Sequence, residues 1–157
     1  MCDFFTTFAP RMIATIEYIQ SHFDAYNARF FGGSLPPLPI KLSHARSFLG
    51  KVTFVKRRQW LFGPWIYERF VLRINARIDM PEELLQDTIL HEMIHYYIAV
   101  NQWKDTSTHG QLFRREMARI NAEGGRHITI SYRIKEADGK IYILDKKSHK
   151  MQINLHN

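Results

Sequence analysis

Residues 81–100 read PEELLQDTILHEMIHYYIAV, and this stretch decides the fold around it. Pro81 suits the first position of a helix, two acidic residues follow it, and no further Gly or Pro occurs before Val100. The pattern therefore predicts one helix over 81–100. Its apolar residues spread round most of the helix surface, which is typical of a largely buried helix.

The motif His91-Glu92-Met93-Ile94-His95 has the ligand spacing of a helical zinc site. Residues four apart lie on one face of a helix, so the imidazoles of His91 and His95 can bind one ion. Glu92 lies about 100° round the helix and can reach a water molecule on that ion. Because buried polar groups are costly unless they are satisfied, a metal with its water explains all three side chains.

A catalytic zinc needs three protein ligands and one open position, so a third ligand must come from elsewhere in the chain. The metzincin pattern would place Gly and His at the positions of Ile98 and Asn101, which excludes that class. His109 follows a polar stretch, 101–108, that is long enough to reverse direction, and it opens a second predicted helix. Two antiparallel helices would bring His109 back toward the first two histidines. Glu116, on the same second helix, is the alternative third ligand.

These motifs resemble a known family. The motif at 91–95, a spacer, His109-Gly110 and the apolar residues that follow are similar to the SprT-like zinc metallopeptidase domain of the SprT/Spartan family. The upstream stretch 26–36, which reads YNARFFGGSLP, also resembles the first helix of that family and the turn after it. The resemblance covers roughly residues 13–121.

The resemblance implies an HExxH-type zinc metalloendopeptidase with one Zn²⁺ per chain. It implies that His91, His95 and His109 hold the zinc and that Glu92 is the catalytic acid/base. It also implies protein or peptide substrates, among them DNA-associated proteins. One feature departs from the family: many relatives carry paired zinc-ribbon cysteines after this core, whereas Cys2 is the only cysteine here.

The N-terminal third predicts a long amphipathic helix that ends at Gly32-Gly33. Its apolar residues recur at steps of three and four, so we expect them in the core. They are Ile13, Ile16, Ile19, Phe23, Tyr26 and Phe30.

Strand-like stretches at 40–43, 51–55 and 68–76 predict a small antiparallel sheet. Near the C-terminus, 128–132 and 141–144 alternate as strands do around an Asp138-Gly139 turn signal, which predicts a β-hairpin. We therefore expect an α+β fold of zincin-like order. It comprises a long N-terminal helix, the small sheet, the HExxH helix, a following helix with the third ligand, and the C-terminal hairpin.

Two units are predicted along the chain. Residues 1–125 form the metallopeptidase core, and residues 126–157 form a hairpin extension without zinc-ribbon cysteines. A single cysteine excludes an intramolecular disulfide and fits a reducing compartment. No run of about 18 apolar residues occurs, and no secretory signal begins the chain, so we expect a soluble, cytoplasmic protein.

The net charge of +7, from 22 basic and 15 acidic residues, is unevenly distributed. Residues 51–77 carry seven basic side chains against only Glu68, with aromatic residues among them. Basic residues interleaved with aromatics can bind phosphates and stack on unpaired bases. The alternative is a solvated hairpin tip without a ligand. The residues predicted to bind single-stranded DNA are Lys56, Arg57, Arg58, Trp60 and Trp65.

Two other functions compete with the peptidase. One is a nucleic-acid-associated zinc-binding module with a structural metal or vestigial activity, and the other is a zinc hydrolase with a non-peptide substrate. Glu92 favours an enzyme, because a structural site has no use for a carboxylate beside an open coordination position.

Overall fold

The computed structural model describes residues 10–130 and 132–145. It confirms the predicted α+β class, with the long N-terminal helix, the HExxH helix, a following helix and the C-terminal hairpin. The elements in chain order are β1 (Arg11–Met12), α1 (Ile16–Phe30), β2 (Ile40–Ser43), β3 (Gly50–Arg58), β4 (Trp65–Asn75), β5 (Met80–Pro81), α2 (Glu82–Val100), α3 (Gln111–Gly124), β6 (Tyr132–Ala137) and β7 (Lys140–Asp145).

Helix α2 lies at the centre of the fold and packs against α1, α3 and the sheet. Leu72 and Ile74 of β4 are buried in the same core as α2, together with Ile19 of α1 and Phe113 of α3. A helix with apolar residues on most sides needs neighbours that cover them, and α1, α3 and the sheet cover those of α2. Among the described residues, no helix is both long and apolar enough to cross a membrane.

The sheet has the strand order β2-β4-β3. Strands β3 and β4 are antiparallel as predicted, but β2 runs parallel to β4, so one of the two pairings differs from the expected antiparallel sheet. Buried Asn75 supplies a physical reason. Its side-chain amide donates to Ala45 O at 2.7 Å and to Phe48 O at 2.8 Å, which holds the loop after β2 across the end of β4. Strand β4 thus lies between β2 and β3.

Helix α1 begins later than the apolar pattern predicts. Thr15 is its N-cap, and the Thr15 hydroxyl accepts a hydrogen bond from Tyr18 N at 3.2 Å. Ile13 therefore precedes the helix, and Ile16 lies on its outer face; they are 56% and 45% exposed, so their predicted place in the core is wrong. The other predicted positions do pack in or against the core: Ile19, Phe23, Tyr26 and Phe30.

The C-terminal hairpin turns at Asp138-Gly139, as predicted. Its first strand is Tyr132–Ala137, so it begins at the last residue of the predicted strand 128–132. The side chain of Asn121 binds both Ile128 N at 2.9 Å and Ile128 O at 3.0 Å, so these backbone groups are satisfied without a partner strand.

The hairpin contacts the rest of the chain through an ion pair between Arg77 and Glu136 at 2.7 Å and through buried Ile143. Residues 1–9, which include Cys2, and residues 131 and 146–157 lie outside the described part of the chain. The boundary between a core of 1–125 and an extension of 126–157 therefore stays a prediction.

Candidate metal centre and cleft

Three histidines from two elements converge at one point. His91 and His95 lie on α2, and His109 lies in the turn just before α3. The Nε2 atom of His95 is 3.1 Å from that of His91 and 3.2 Å from that of His109, and the third separation is 3.2 Å. The three side chains form a group that could hold a metal ion.

Glu116, the alternative third ligand, lies elsewhere. Its buried carboxylate forms ion pairs with Arg115 at 3.3 Å and with Arg119 at 2.9 Å. Within the described residues, it does not belong to the group of potential ligands around His91.

The spacing of the nitrogens fits a tetrahedral ion. Bonds of about 2.0–2.1 Å at tetrahedral angles place ligand nitrogens about 3.3–3.4 Å apart. The observed separations of 3.1 to 3.2 Å are close to that distance. Nδ1 of His91 lies 2.9 Å from the carbonyl oxygen of Thr129, which can only accept, so Nδ1 carries the proton. The Nε2 atom of His91 is thereby left with the lone pair that a metal needs.

Burial keeps the imidazoles neutral. It lowers the pKa of His91 to about 4, helped by the nearby His109 ring, although the bond to Thr129 opposes the shift. Burial, together with the other two histidines, lowers the pKa of His95 to about 3. Neutral imidazole is the form that binds metal, so His91 and His95 are ready to do so at physiological pH.

The ring of Phe113 forms one wall of this centre. It is fully buried, and its centre lies 4.8, 4.5 and 4.7 Å from those of His91, His95 and His109. Phe113 therefore shields one side of the three imidazoles from water and restricts their orientations.

Glu92 is also buried, with 6% of its surface exposed. Its Oε2 accepts a hydrogen bond from Val52 N of β3 at 2.9 Å. Burial raises the pKa of Glu92 to about 8, while the bond from Val52 and the charge of Lys51 oppose the rise. A carboxyl group with a pKa near neutrality is typical of a general acid/base.

Sequence reasoning missed Gly50, which lets β3 approach α2 at this point. A Cβ atom there would lie 2.8 Å from Glu92 Cγ and 2.9 Å from Thr88 Cγ2, closer than packed atoms allow. A glycine in a strand pattern often marks such a close approach, so Gly50 could have been predicted from the sequence as a contact point between β3 and another element.

The three histidines and Glu92 line a cleft of ≈ 560 Å³. Its apolar walls come from the loop before β3, the sheet, the C-terminal end of α2 and the loop after α2. They include Phe48, Phe54, Tyr67, Ile98 and Trp103. The cleft therefore opens onto the histidines between largely apolar walls.

Three of the predicted DNA-binding residues share one face of the β3–β4 hairpin. Arg58 is opposite Trp65 and Lys56 is opposite Tyr67, and alternate residues of a strand share a face. On that face, the rings of Phe54 and Tyr67 meet edge to face at 4.7 Å and line the cleft. The Trp65 ring centre lies 4.9 Å from the Arg58 guanidinium and 5.1 Å from the Lys56 ammonium.

Arg57 and Trp60 are placed differently. Arg57 is on the opposite face of the hairpin, where its Nε atom lies 2.8 Å from Glu68 Oε1. Trp60 lies in the turn, is 60% exposed and packs over Gly63, where a Cβ atom would be 2.6 Å from the ring. Side chains alternate between the two faces of a strand, so residues 56 and 58 share one face and residue 57 lies on the other. Extending the predicted strand to these residues would have separated Arg57 from the other two cations.

The fold and the site together define a class: α+β domains in which an HExxH helix and the segment before the next helix supply three histidines. A model of the SprT-like family matches residues 19–136. Because this match covers well over half of the chain, the protein belongs to the SprT-like family, as the sequence motifs predicted.

Similar proteins carry related names. The chain is 35% identical over 115 residues to the DNA-dependent metalloprotease dvc-1 of Caenorhabditis elegans. It is 34% identical over 113 residues to the DNA-dependent metalloprotease SPRTN of Bos taurus and 32% identical over 113 residues to that of Homo sapiens. Each match covers 71% of this chain but only 30%, 22% and 22% of the respective relative. The chain thus spans less than a third of the length of these relatives.

Proposed function

We propose that this chain is a zinc-dependent endopeptidase that acts on DNA-associated proteins. The observation that carries the proposal is the convergence of three Nε2 atoms, 3.1 to 3.2 Å apart, beside the buried carboxylate of Glu92. The cleft that opens onto them supports a free fourth position at the metal, which a structural zinc site lacks. The names of the relatives support both the protease activity and the involvement of DNA.

In this mechanism, His91, His95 and His109 would hold the zinc through their Nε2 atoms. A bound zinc supplies Lewis-acid polarisation of the scissile carbonyl, a lower pKa for water, and a positive charge that favours the ionised form of Glu92. Glu92 accepts a proton from the attacking water and delivers it to the leaving amine. The hydrogen bond from Val52 N orients its carboxylate for both transfers.

The Glu92→Gln substitution tests this proposal, because glutamine keeps the shape of the side chain but cannot act as a base. We expect the variant to retain about one zinc per chain and to cleave casein at least about a hundredfold more slowly. Metal analysis and proteolysis assays, with and without single-stranded DNA, measure the two effects.

Glu116→Gln is the matched control, because Glu116 is equally buried but lies outside the histidine group. It should keep both zinc and activity. Undiminished proteolysis by the Glu92 variant, or the absence of zinc from the unaltered protein, would refute the mechanism.

We further infer that single-stranded DNA binds the cleft-facing side of the β3–β4 hairpin. Lys56 and Arg58 flank Trp65 there, so cations for phosphates and a ring for base stacking lie side by side. At the tip, Leu61 and Phe62 are 76% and 86% exposed, which leaves apolar surface for a ligand. DNA on this face would lie next to the proposed catalytic centre.

The charged face is tested by the Lys56→Ala/Arg58→Ala double variant. It should weaken binding of an oligothymidine and reduce the salt slope by up to about 0.7 for each phosphate that the variant no longer neutralises. Trp65→Ala should cost roughly 1–3 kcal/mol of binding free energy, with little change in the slope.

Arg57→Ala is the matched control, since Arg57 already pairs with Glu68 on the other face, and it should bind nearly as the unaltered protein does. Titrations at several salt concentrations separate these effects. If the unaltered protein shows no salt-sensitive DNA binding at about 50 mM salt, the inference is wrong and the hairpin tip is a solvated surface without a ligand.

A further inference from the structure

Asp105 lies in the loop between α2 and α3 and lines the cleft. Its Oδ2 accepts a hydrogen bond from Phe113 N at 2.9 Å, and its Oδ1 accepts from Leu112 N at 3.2 Å and Thr106 N at 2.7 Å. The first amides of a helix have no partner within the helix, and the N-cap of α3, Gly110, has no side chain to satisfy them. Asp105 therefore caps α3 from outside the helix.

The same hydrogen bonds close the loop that carries His109. Asp105 precedes His109 and its helical partners follow it, so the carboxylate ties together both ends of 106–111. Arg114 Nε donates to His109 O at 2.9 Å and adds a second tie. One partner of Asp105 is the backbone of Phe113, whose ring contacts all three imidazoles. The position of the α3 N-terminus therefore determines where the His109 imidazole and the Phe113 ring lie.

Gly110 provides the space that this arrangement needs. A Cβ atom at Gly110 would collide with the carboxylate of Asp105 and the hydroxyl of Thr106. The backbone there is extended, with φ −77° and ψ −157°, so the requirement for glycine is steric rather than conformational.

We propose that Asp105 is a positioning residue for the metal centre, which caps α3 and holds His109 where its Nε2 atom meets those of His91 and His95. The inference rests on the proposed function, because it takes the three histidines as the zinc site. Residues that orient metal ligands without touching the metal typically change affinity by about 10–100-fold when they are removed. Asp105 would act through His109 in this way.

The test compares the zinc affinity of four variants of the full chain by competition with a chromophoric chelator. Asp105→Ala removes the cap. Gly110→Ala forces the carboxylate out of its position without mutating Asp105 itself. Asp105→Asn keeps an acceptor oxygen and should restore part of the affinity. Thr15→Ala is the matched control: it removes the N-cap of α1, which carries no proposed ligand.

We expect zinc affinity to fall at least about tenfold in Asp105→Ala and Gly110→Ala and to stay unchanged in Thr15→Ala. The visible spectrum of the Co²⁺-substituted protein should change in the first two variants only, because general destabilisation does not alter the ligands of a bound ion.

Zinc affinity equal to that of the unaltered protein, in a folded Asp105→Ala or Gly110→Ala variant, would overturn the inference and leave the proposed function intact. Failure of the unaltered protein to bind zinc would overturn both. If Asp105→Ala does not fold, Gly110→Ala provides the same comparison.

Discussion

Gly50 shows how much a single residue contributes to this site. The side chain of Glu92 occupies the space that a Cβ atom at residue 50 would need, and the next inward-facing residue, Val52, supplies its hydrogen bond. The orientation of the proposed general base therefore depends on a residue without a side chain, on another element, 42 positions earlier in the chain.

We predict that Gly50→Ala lowers proteolysis at least about tenfold while zinc content stays near one per chain. The added methyl group forces Glu92 or β3 to move, and such overpacking typically costs about 1–3 kcal/mol of unfolding free energy. Casein cleavage, metal analysis and urea denaturation measure these effects. Gly63→Ala, which crowds Trp60 instead of Glu92, should leave DNA-independent cleavage unchanged. Full activity in the Gly50 variant would show that Glu92 does not need this position.

At the level of elements, the β3–β4 hairpin extends beyond the strand that supports it. Strand β2 pairs with β4 only from Leu72 to Asn75, so the other edge of β4 needs a partner nearer the tip. The side chain of Gln102 supplies one: its Oε1 accepts from Tyr67 N at 2.7 Å, and its Nε2 donates to Tyr67 O at 2.9 Å. Gln102 adopts a positive φ of 59°, a conformation that is unfavourable for a residue with a side chain.

We predict that Gln102→Ala loosens the hairpin without disturbing the metal centre. The substitution leaves two backbone groups of Tyr67 without their partner, while alanine shares the unfavourable φ and does not change that strain. Amide exchange at Tyr67 should become at least about tenfold faster, equivalent to about 1.4 kcal/mol of opening free energy. Asn101→Ala, which removes only a bond to Tyr97 O, is the control. Unchanged exchange at Tyr67 would contradict a bracing role for Gln102.

For the molecule as a whole, the central helix buries ionisable groups whose pKa values shift in opposite directions. Burial lowers the pKa of His91 and His95 from 6.5 to about 4 and about 3, and it raises the pKa of Glu92 from 4.5 to about 8. Without metal, these groups link the stability of the whole domain to pH.

Between pH 6.5 and 8, the folded chain keeps the Glu92 proton that the unfolded chain has released, so stability falls as pH rises. Between pH 4.5 and 6.5, the unfolded chain binds two protons at the histidines and the folded chain binds one at Glu92. The unfolded chain then holds one more proton, so stability falls as pH drops. These three groups together favour a stability maximum near pH 6.5.

We predict that the metal-free protein loses roughly 2 kcal/mol of unfolding free energy between pH 6.5 and 8. Glu92→Gln has no titrating group at this position and should lose much less over the same range. Urea denaturation in the presence of a chelator measures both curves. Equal losses in the two proteins would show that Glu92 is already ionised in the metal-free fold.

Local sequence patterns predicted several features of the structure. The uninterrupted run of 81–100, with apolar residues on most sides, predicted the buried helix; the spacing of His91 and His95 predicted two potential ligands, and Asp138-Gly139 predicted a turn. The steps of three and four in the N-terminal helix misplaced Ile13 in the core, because periodicity does not show that the helix starts only after the N-cap at Thr15.

The sequence by itself thus determined the family, the central helix and the histidines that could hold a metal. Only the tertiary structure decided which face of the hairpin each cation occupies, that β2 runs parallel to β4, and how Val52 and Gly50 surround Glu92. The reason is physical: periodicity and spacing report neighbours within one element. Whether a backbone amide meets a carboxylate 40 residues away depends instead on how the elements pack.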